Sequence, residues 1–443
     1  MSTPLSRRRF LQQTTAALIS APFVTRGLRA ASPNGKLRHA AFGASGMSWA
    51  DMSSLSKHPM WELAAVCDVD TRNFARVKQQ WPNVRCYQDW RELLEKEAGQ
   101  IDSVNVSVPD HMHGSIGLAA LNRGLHVYGQ KPLTQNLLEC RAVTKKAREK
   151  GVMTQMGIQI SSAFSERFVV KMIQDGAIGK VKEVHTFSNK KWGDMEPVPE
   201  KTDPVPAEFD WSKWLGVSAE RPFINGYYHP GNWRKRRDFG TGTLGDMGCH
   251  MFSGWYRSLA LTMPISVQSL GPAPLNAENW AINGKVEYIY PGTEFTAEKT
   301  IKVTWYDGDQ MPPEEVVKSV EGAWPGQGSI YLGTEGVLVS SHGNTPTLHP
   351  RAKFQGYVYP KLEPRDHWGE FVDCSLQGGD KKPSANFDYS GPMTEAVLLG
   401  CLASIFPNQE LQWDAEKQVF PNSAEATAFV KRSYRKGWEI PGL

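Results

Sequence analysis

The stretch DSVNVSVPDHMHGSIGLAALNRGLHVYGQKP, Asp102 to Pro132, lays out a strand, a turn, a helix and a second strand in one short span. Val104, Val106 and Val108 form a β-branched run that stops at Pro109, which has no N–H to give to a ladder. Ile116, Leu118, Ala119, Ala120 and Leu121 supply an apolar helical face, and Gly124 closes that helix as a C′ glycine. Val127 and Tyr128 open the next strand, and Lys131 follows at its end with Pro132 restricting the backbone beside it. This order puts Lys131 at the carboxyl edge of a parallel sheet, where α/β folds place their ligands. Lys131 is therefore the first candidate for chemistry.

The same alternation extends to both sides. Arg38–Phe42 reads as a strand followed by the turn Gly43-Ala44-Ser45-Gly46-Met47-Ser48, and Leu63–Cys67 as a strand ending in Asp68. Helices over Thr71–Gln80, Trp90–Lys96 and Leu137–Lys150, with a strand at Val84–Tyr87, complete the pattern of a doubly wound parallel sheet. A Rossmann-type domain is expected over residues 36–157. Beyond it come a helix at Phe164–Gln174, a strand within Gly179–Ser188 and a loop over Lys190–Pro230 rich in Pro, Trp and charge. Alternating strands at Ile265–Leu270, Lys285–Ile289, Glu294–Tyr306 and Ser329–Leu332 then predict an open, mostly antiparallel sheet. Helices at Asp366–Leu376, Thr394–Ile405 and Ala424–Lys436 pack on it, making residues 158–443 an α+β domain.

Composition narrows the function. A chain of 443 residues with 40% hydrophobic and 22% charged residues has the balance of a soluble globular protein with room for two domains. The net charge of +4 and the lack of a basic block beyond the N-terminus and Arg234–Arg237 argue against nucleic acid. At the N-terminus, Ser6-Arg7-Arg8-Arg9-Phe10-Leu11 precedes a mildly apolar run from Thr14 to Val24 and small residues near Ala30-Ala31. Residues 1–31 thus resemble a twin-arginine export signal, with an apolar run too short for a stable membrane span. A periplasmic location is expected. Six cysteines without a CxxC pair read as small buried residues. Trp192, Trp211, Trp214 and Trp233 could stack on a sugar ring, although packing accounts for most of them.

Three motifs carry chemistry. The turn at Gly43, Ser45, Gly46 and Met47 follows a strand and opens a helix, and Asp68 stands at the end of the next strand. That is dinucleotide-binding logic, with free N–H groups facing a pyrophosphate and a carboxylate for the adenosine ribose. A carboxylate there repels a 2′-phosphate and favours NAD over NADP. Asp246 and His250 are four residues apart, on one helical face. They suit acid–base work, although on spacing alone a helix-terminal Asp and a packed core His explain them better. Too few His or Cys surround them for a metal site. Tyr227-Tyr228-His229-Pro230-Gly231-Asn232-Trp233-Arg234 joins ring surfaces to hydrogen-bond donors, equally consistent with a polyhydroxylated substrate or a packed loop.

Together these residues resemble the glucose–fructose oxidoreductase and inositol dehydrogenase family, Gfo/Idh/MocA. The likeness covers nearly all of the chain after residue 35. The family's Glu-Lys-Pro signature stands here as Gln130-Lys131-Pro132 in the frame HVYGQKPLTQN, and its Asp-x-x-x-His helix as Asp246 and His250. Residues 228–250 and Thr154–Gln159 are similar to exported members, with Ile158 where Asn is more usual. The resemblance implies an NAD-dependent oxidoreductase acting on CH–OH groups of carbohydrates or cyclitols, in a homo-oligomer. It assigns catalysis to Lys131, Asp246 and His250, and cofactor contacts to Gly43, Ser45, Gly46, Met47, Asp68, Pro109, His113, Gln130 and Lys131. Substrate contacts fall to Gln159, His229, Trp233, Arg234 and His250. Ser45 and Ser48 in place of glycines, and Gln130 in place of Glu, are the departures; the latter removes a charge beside the nicotinamide end.

The implied chemistry is hydride transfer to a tightly held nicotinamide, since an exported enzyme meets little free NAD. A glycosidase route through oxidation, elimination, water addition and re-reduction is the alternative. A non-catalytic nucleotide-binding sensor is a second alternative, opposed by the retention of Lys131, Asp246 and His250.

Overall fold

Short β-branched strands alternating with helices build a six-stranded parallel sheet in the first part of the computed structural model, which describes residues 35–443. The strands are β1 (Leu37–Phe42), β2 (Trp61–Cys67), β3 (Arg85–Tyr87), β4 (Ser103–Val106), β5 (His126–Gly129) and β6 (Thr154–Met156). Their order is β3-β2-β1-β4-β5-β6. The winding reverses between β1 and β4, where Phe42 pairs with Val106. A crevice opens outside the strand ends at such a reversal. Helices α1 (Gly46–Leu55), α2 (Phe74–Gln80), α3 (Trp90–Lys96), α4 (His113–Asn122) and α5 (Leu137–Lys150) connect the strands. The export segment expected at residues 1–31 lies outside the described residues.

The second sheet holds β7 (Val181–Ser188), β8 (Ser266–Ser269), β9 (Lys285–Pro291), β10 (Thr300–Asp307), β11 (Gln327–Gly333), β12 (Val337–Ser341), β13 (Thr347–His349) and β14 (Glu410–Gln412). Its order is β13-β12-β11-β7-β10-β9-β8-β14, antiparallel except for the β7–β10 pair. Helices α6 (Phe164–Gln174) and α8 (Gly242–Ser258) cover one face, where Phe252 and Trp255 meet Tyr288, Tyr290 and Trp305. The one-turn helices α7 (Trp211–Leu215) and α9 (Glu314–Lys318) lie in long connections. On the other face Val316, Val320 and Trp324 cover Phe187, Tyr306, Ile330 and Val339, so this apolar patch is buried within the chain itself.

Helices α10 (His367–Gln377) and α11 (Phe387–Ala403) return to the first sheet, where Phe371 and Val372 pack with Leu37, Ala41 and Met52. Residues 36–443 consequently form one compact unit. The helix expected over Ala424–Lys436 is only the single turn α12 (Ala424–Ala428). Beyond it the backbone N–H of Arg435 donates to the Val217 carbonyl, and Arg432 bonds Gln135 and Ser218, contacts a continuous helix would forfeit. The strand expected from Glu294 starts at Thr300 because Thr293 and Thr296 bond locally in a turn. All six cysteines are unpaired and five are buried. No helix of the described residues is long and apolar enough to cross a membrane.

The turn after β1 depends on one glycine. Gly43 has φ +97°, and a Cβ there would lie 2.8 Å from the Ser107 carbonyl oxygen and 2.9 Å from the Ser48 Cβ. Gly43→Ala is expected to cost at least about 2 kcal/mol through strain and overlap, read as a lowered melting temperature together with weakened nucleotide binding.

Candidate active site

The first half of the site is built by the ends of β1 and β2. Helix α1 starts at Gly46, and Ser45, Gly46 and Met47 at its N-terminus line the crevice, where the first-turn N–H groups have no partner within the helix. Ser48, standing where a third glycine was expected, turns away from that crevice. Its Oγ donates to the Gly43 carbonyl at 2.7 Å and accepts from Asn105 Nδ2 at 3.1 Å. Asp68 accepts at Oδ2 from the Ala44 N–H at 2.8 Å and Asn73 Nδ2 at 3.2 Å, and at Oδ1 from the Asp70 N–H at 2.9 Å. Burial raises its pKa against these bonds. The carboxylate is thus fixed before any ligand arrives.

The second half joins the two sheets. Lys131, at the end of β5, donates to the Asp246 backbone carbonyl at 2.8 Å and to its Oδ1 at 2.7 Å. An ammonium has three N–H donors, so one remains for a reacting oxygen. Arg234 Nε also donates to Asp246 Oδ1, at 3.1 Å, while its guanidinium lies over the Trp233 ring at 4.2 Å. Burial alone would raise the Asp246 pKa, but the Lys131 and Arg234 charges outweigh it and hold the carboxyl at about 2. One turn along α8, burial and the nearby Lys131 charge hold His250 at about 3. At neutral pH its ring is uncharged.

A cavity of about 280 Å³ runs between these halves. Gly43, Ser45, Gly46, Met47, Asp68, Pro109, His113, Gln130, Lys131, His229, Trp233 and Arg234 all line it. Three of them differ in role from the expectation. Both His113 nitrogens already lie 2.7 Å from carbonyl oxygens, those of Pro132 and Val108, so the ring offers the cavity a face and no free nitrogen. The Trp233 indole donates to the Pro230 carbonyl and sits in an aromatic cluster with Phe209, Trp214, Tyr228 and Phe239. Arg234, expected on substrate, is bound to the Asp246 carboxylate. His250 lies along α8 from Asp246 and lines a separate small cleft with Glu166, Ser165 and His342. Gln159 opens a 3₁₀ turn at Gln159–Ser162 and lines neither space.

Several groups gave no sequence signal. Asn73 braces Asp68, the His342 ring sits 5.6 Å from that of His250, and the buried Asp51 lies behind Gln130. His342 and Asp51 are brought in by long-range pairings that neither spacing nor composition encodes, whereas Asn73 reaches Asp68 from five residues along the chain. No group of His, Cys, Asp and Glu among the described residues is arranged to hold a metal.

A glycine turn, a fixed carboxylate at the end of β2 and Lys131 share one cavity, with Asp246 bonded to the lysine and His250 one turn further along α8 in its own cleft, an arrangement that fits a nicotinamide-dependent oxidoreductase. The chain belongs to the Gfo/Idh/MocA oxidoreductase family: residues 37–158 match its NAD-binding Rossmann fold and residues 167–290 its C-terminal α/β domain. It is 28% identical over 97 residues to 2,7-anhydro-N-acetylneuraminate hydratase of Mediterraneibacter gnavus, covering 22% of this chain and 26% of that one. It is 27% identical over 93 residues to levoglucosan dehydrogenase of Pseudarthrobacter phenanthrenivorans, covering 21% and 23%. The match thus spans about a quarter of the length of each of these curated relatives. The WlbA dehydrogenase of Bordetella pertussis, solved with NADH and UDP-GlcNAcA, superposes at a TM-score of 0.59 with 14% identity, over 86% of this chain and 99% of that one. At that identity the likeness speaks for the fold.

Two outcomes follow from the charge layout. Lys131→Met is expected to keep nicotinamide bound while kcat falls by about a hundredfold or more, measured by cofactor absorbance and turnover on the same preparation. His250, held below its unfolded value of 6.5, lets the unfolded chain take up the proton first as pH falls, so stability drops between about pH 6.5 and 3. Replacing His250 by Phe removes that loss. Urea unfolding from about pH 7 to 4.5 should show the wild type losing about 2 kcal/mol more than His250→Phe.

Proposed function

We propose that this chain is an exported, periplasmic NAD-dependent oxidoreductase that moves a hydride between a carbohydrate or cyclitol carbon and a nicotinamide kept bound between turnovers. The observation that carries this reading is Lys131 Nζ, bonded twice to Asp246 with one donor left, in the same cavity as the Gly43 turn and Asp68. NAD, when bound, supplies the hydride acceptor and donor. The chain's residues do the rest. Lys131 donates to the hydroxyl oxygen and stabilises the alkoxide that forms there. Asp246 holds Lys131 in place, and neutral His250, one turn along α8 in its own cleft, is the candidate acceptor for the hydroxyl proton.

Asp68 supports NAD over NADP, since a prefixed carboxylate meets a 2′-phosphate with like charge. Sugar-derived names among the relatives support the carbohydrate class. The arginines at residues 7–9 support export in the folded state, with the cofactor carried inside. The family resemblance supports a homo-oligomer, whose contact would lie away from the patch that Val316 and Trp324 already cover.

One observation favours the glycosidase route as a second reading. Glu166 lines the His250 cleft, and burial pushes its carboxyl up to about 7, so a protonated acid is available near neutral pH. Elimination and water addition need such a group; simple oxidation does not.

Mass spectrometry of cofactor released from the purified full chain is expected to give NAD. NADP, or no nucleotide, would contradict the reading. Incubation of the same protein with sugars and aryl glycosides, without added NAD, then separates the two routes. A keto-sugar product marks oxidation, whereas aglycone release that stops when the cofactor is stripped marks the glycosidase route.

A further inference from the structure

Asp51 is a fully buried carboxylate on α1 that the chemistry above does not use. Its Oδ2 accepts from Gln130 Nε2 at 2.9 Å and from Ser107 Oγ at 2.8 Å, and its Oδ1 accepts from Trp368 Nε1 at 3.2 Å. All three donors are neutral. Burying a carboxylate without a cation is costly, and a neutral side chain would fill this place more cheaply.

The group it holds faces the cofactor crevice. Gln130 lines the cavity at the β5 end, on the side of the winding reversal opposite the Asp68 end, and its Oε1 accepts from the Lys131 N–H at 3.3 Å. Gly157 leaves the room for this side chain, since a Cβ there would lie 2.5 Å from Gln130 Nε2. The Asp51 contact fixes which end of the amide points where, because only the NH₂ end can donate to a carboxylate. A Glu at position 130 would set two buried carboxylates against each other, and one would have to take up a proton.

We infer that Asp51 is a positioning residue that orients Gln130 beside Lys131 and supplies, from one layer behind, the negative charge that stabilises the oxidised nicotinamide. The oxidised ring is a cation and the reduced ring is neutral, so a carboxylate behind the crevice lowers the energy of the oxidised form alone. Burial pushes Asp51 up only to about 6, which leaves it ionised at neutral pH. The inference rests on the NAD reading of the cavity.

The test is a redox titration of the bound couple in the holoprotein, equilibrated with mediators and followed by near-ultraviolet nicotinamide absorbance. Asp51→Asn is expected to shift the oxidised-to-reduced equilibrium about five- to tenfold toward the reduced form; tenfold is about 30 mV for a two-electron couple. A merely structural Asp51 would change affinity for both forms alike and leave the midpoint where it is. Asp51→Asn/Gln130→Glu exchanges amide and carboxylate across the same hydrogen bond. It is expected to bring the midpoint and the melting temperature back toward wild type, whereas Gln130→Glu alone lowers the melting temperature. An unshifted midpoint in Asp51→Asn overturns the inference, as does a double variant no nearer wild type than Asp51→Asn. If Asp51→Asn does not fold, the double variant decides alone: a wild-type midpoint supports the inference, and a displaced midpoint or an unfolded double variant overturns it. Failure of the NAD reading would be distinct, because the wild type itself would then carry no nicotinamide signal.

Discussion

Lys131 leaves the first sheet at the end of β5, Asp246 stands on the helix that covers the second, and the 2.7 Å contact between them ties the cofactor crevice to the substrate side. Neither group would hold its geometry alone. A buried carboxylate without its cations would be driven toward its protonated form, and the lysine without the carboxylate would lose the contact that fixes its side chain. Arg234 shares the same oxygen, so one carboxylate oxygen serves two cations. His250, one turn on, stays uncharged in that field.

Charge is layered across the crevice. Asp68 lies at the end of β2, the Lys131–Asp246–Arg234 cluster beyond the end of β5, and Asp51 behind Gln130. In this chain the carboxylate expected beside the lysine has an amide in its place, and a carboxylate stands one layer deeper, held by three neutral donors. Set deeper, it acts on the ring by field alone. The substitution at residue 130 and the burial of Asp51 thus make sense as one feature.

Local signals carried much of this. The valines of β4, Gly43, the spacing of Asp246 and His250 and the Lys131-Pro132 step each declare themselves through dihedral preference, periodicity or strand ends, and the first sheet follows from them. Residues whose meaning is set by long-range packing did not. Nothing near Asp51 in sequence marks it as the partner of Gln130, 79 residues away. The pairing of Arg234 with Asp246 depends on how the loop before α8 folds back around Trp233. The short edge strands β13 and β14, the strand β12 beside β13, and the interrupted helix at Ala428 were illegible because tertiary contacts, rather than propensity, decide them.

The central claim is that the Lys131–Asp246 pair presents the lysine to the oxygen of a carbon that gives its hydride to bound nicotinamide. Single-turnover reduction of the bound cofactor by a sugar carrying deuterium at the reacting carbon tests this directly in wild type and Asp246→Asn. The account predicts deuterium on the nicotinamide in the wild type, and in the variant a reduction rate lower by about a hundredfold with the cofactor still bound. Reduction at an unchanged rate in Asp246→Asn, or a nicotinamide that gains no deuterium in the wild type, would contradict it.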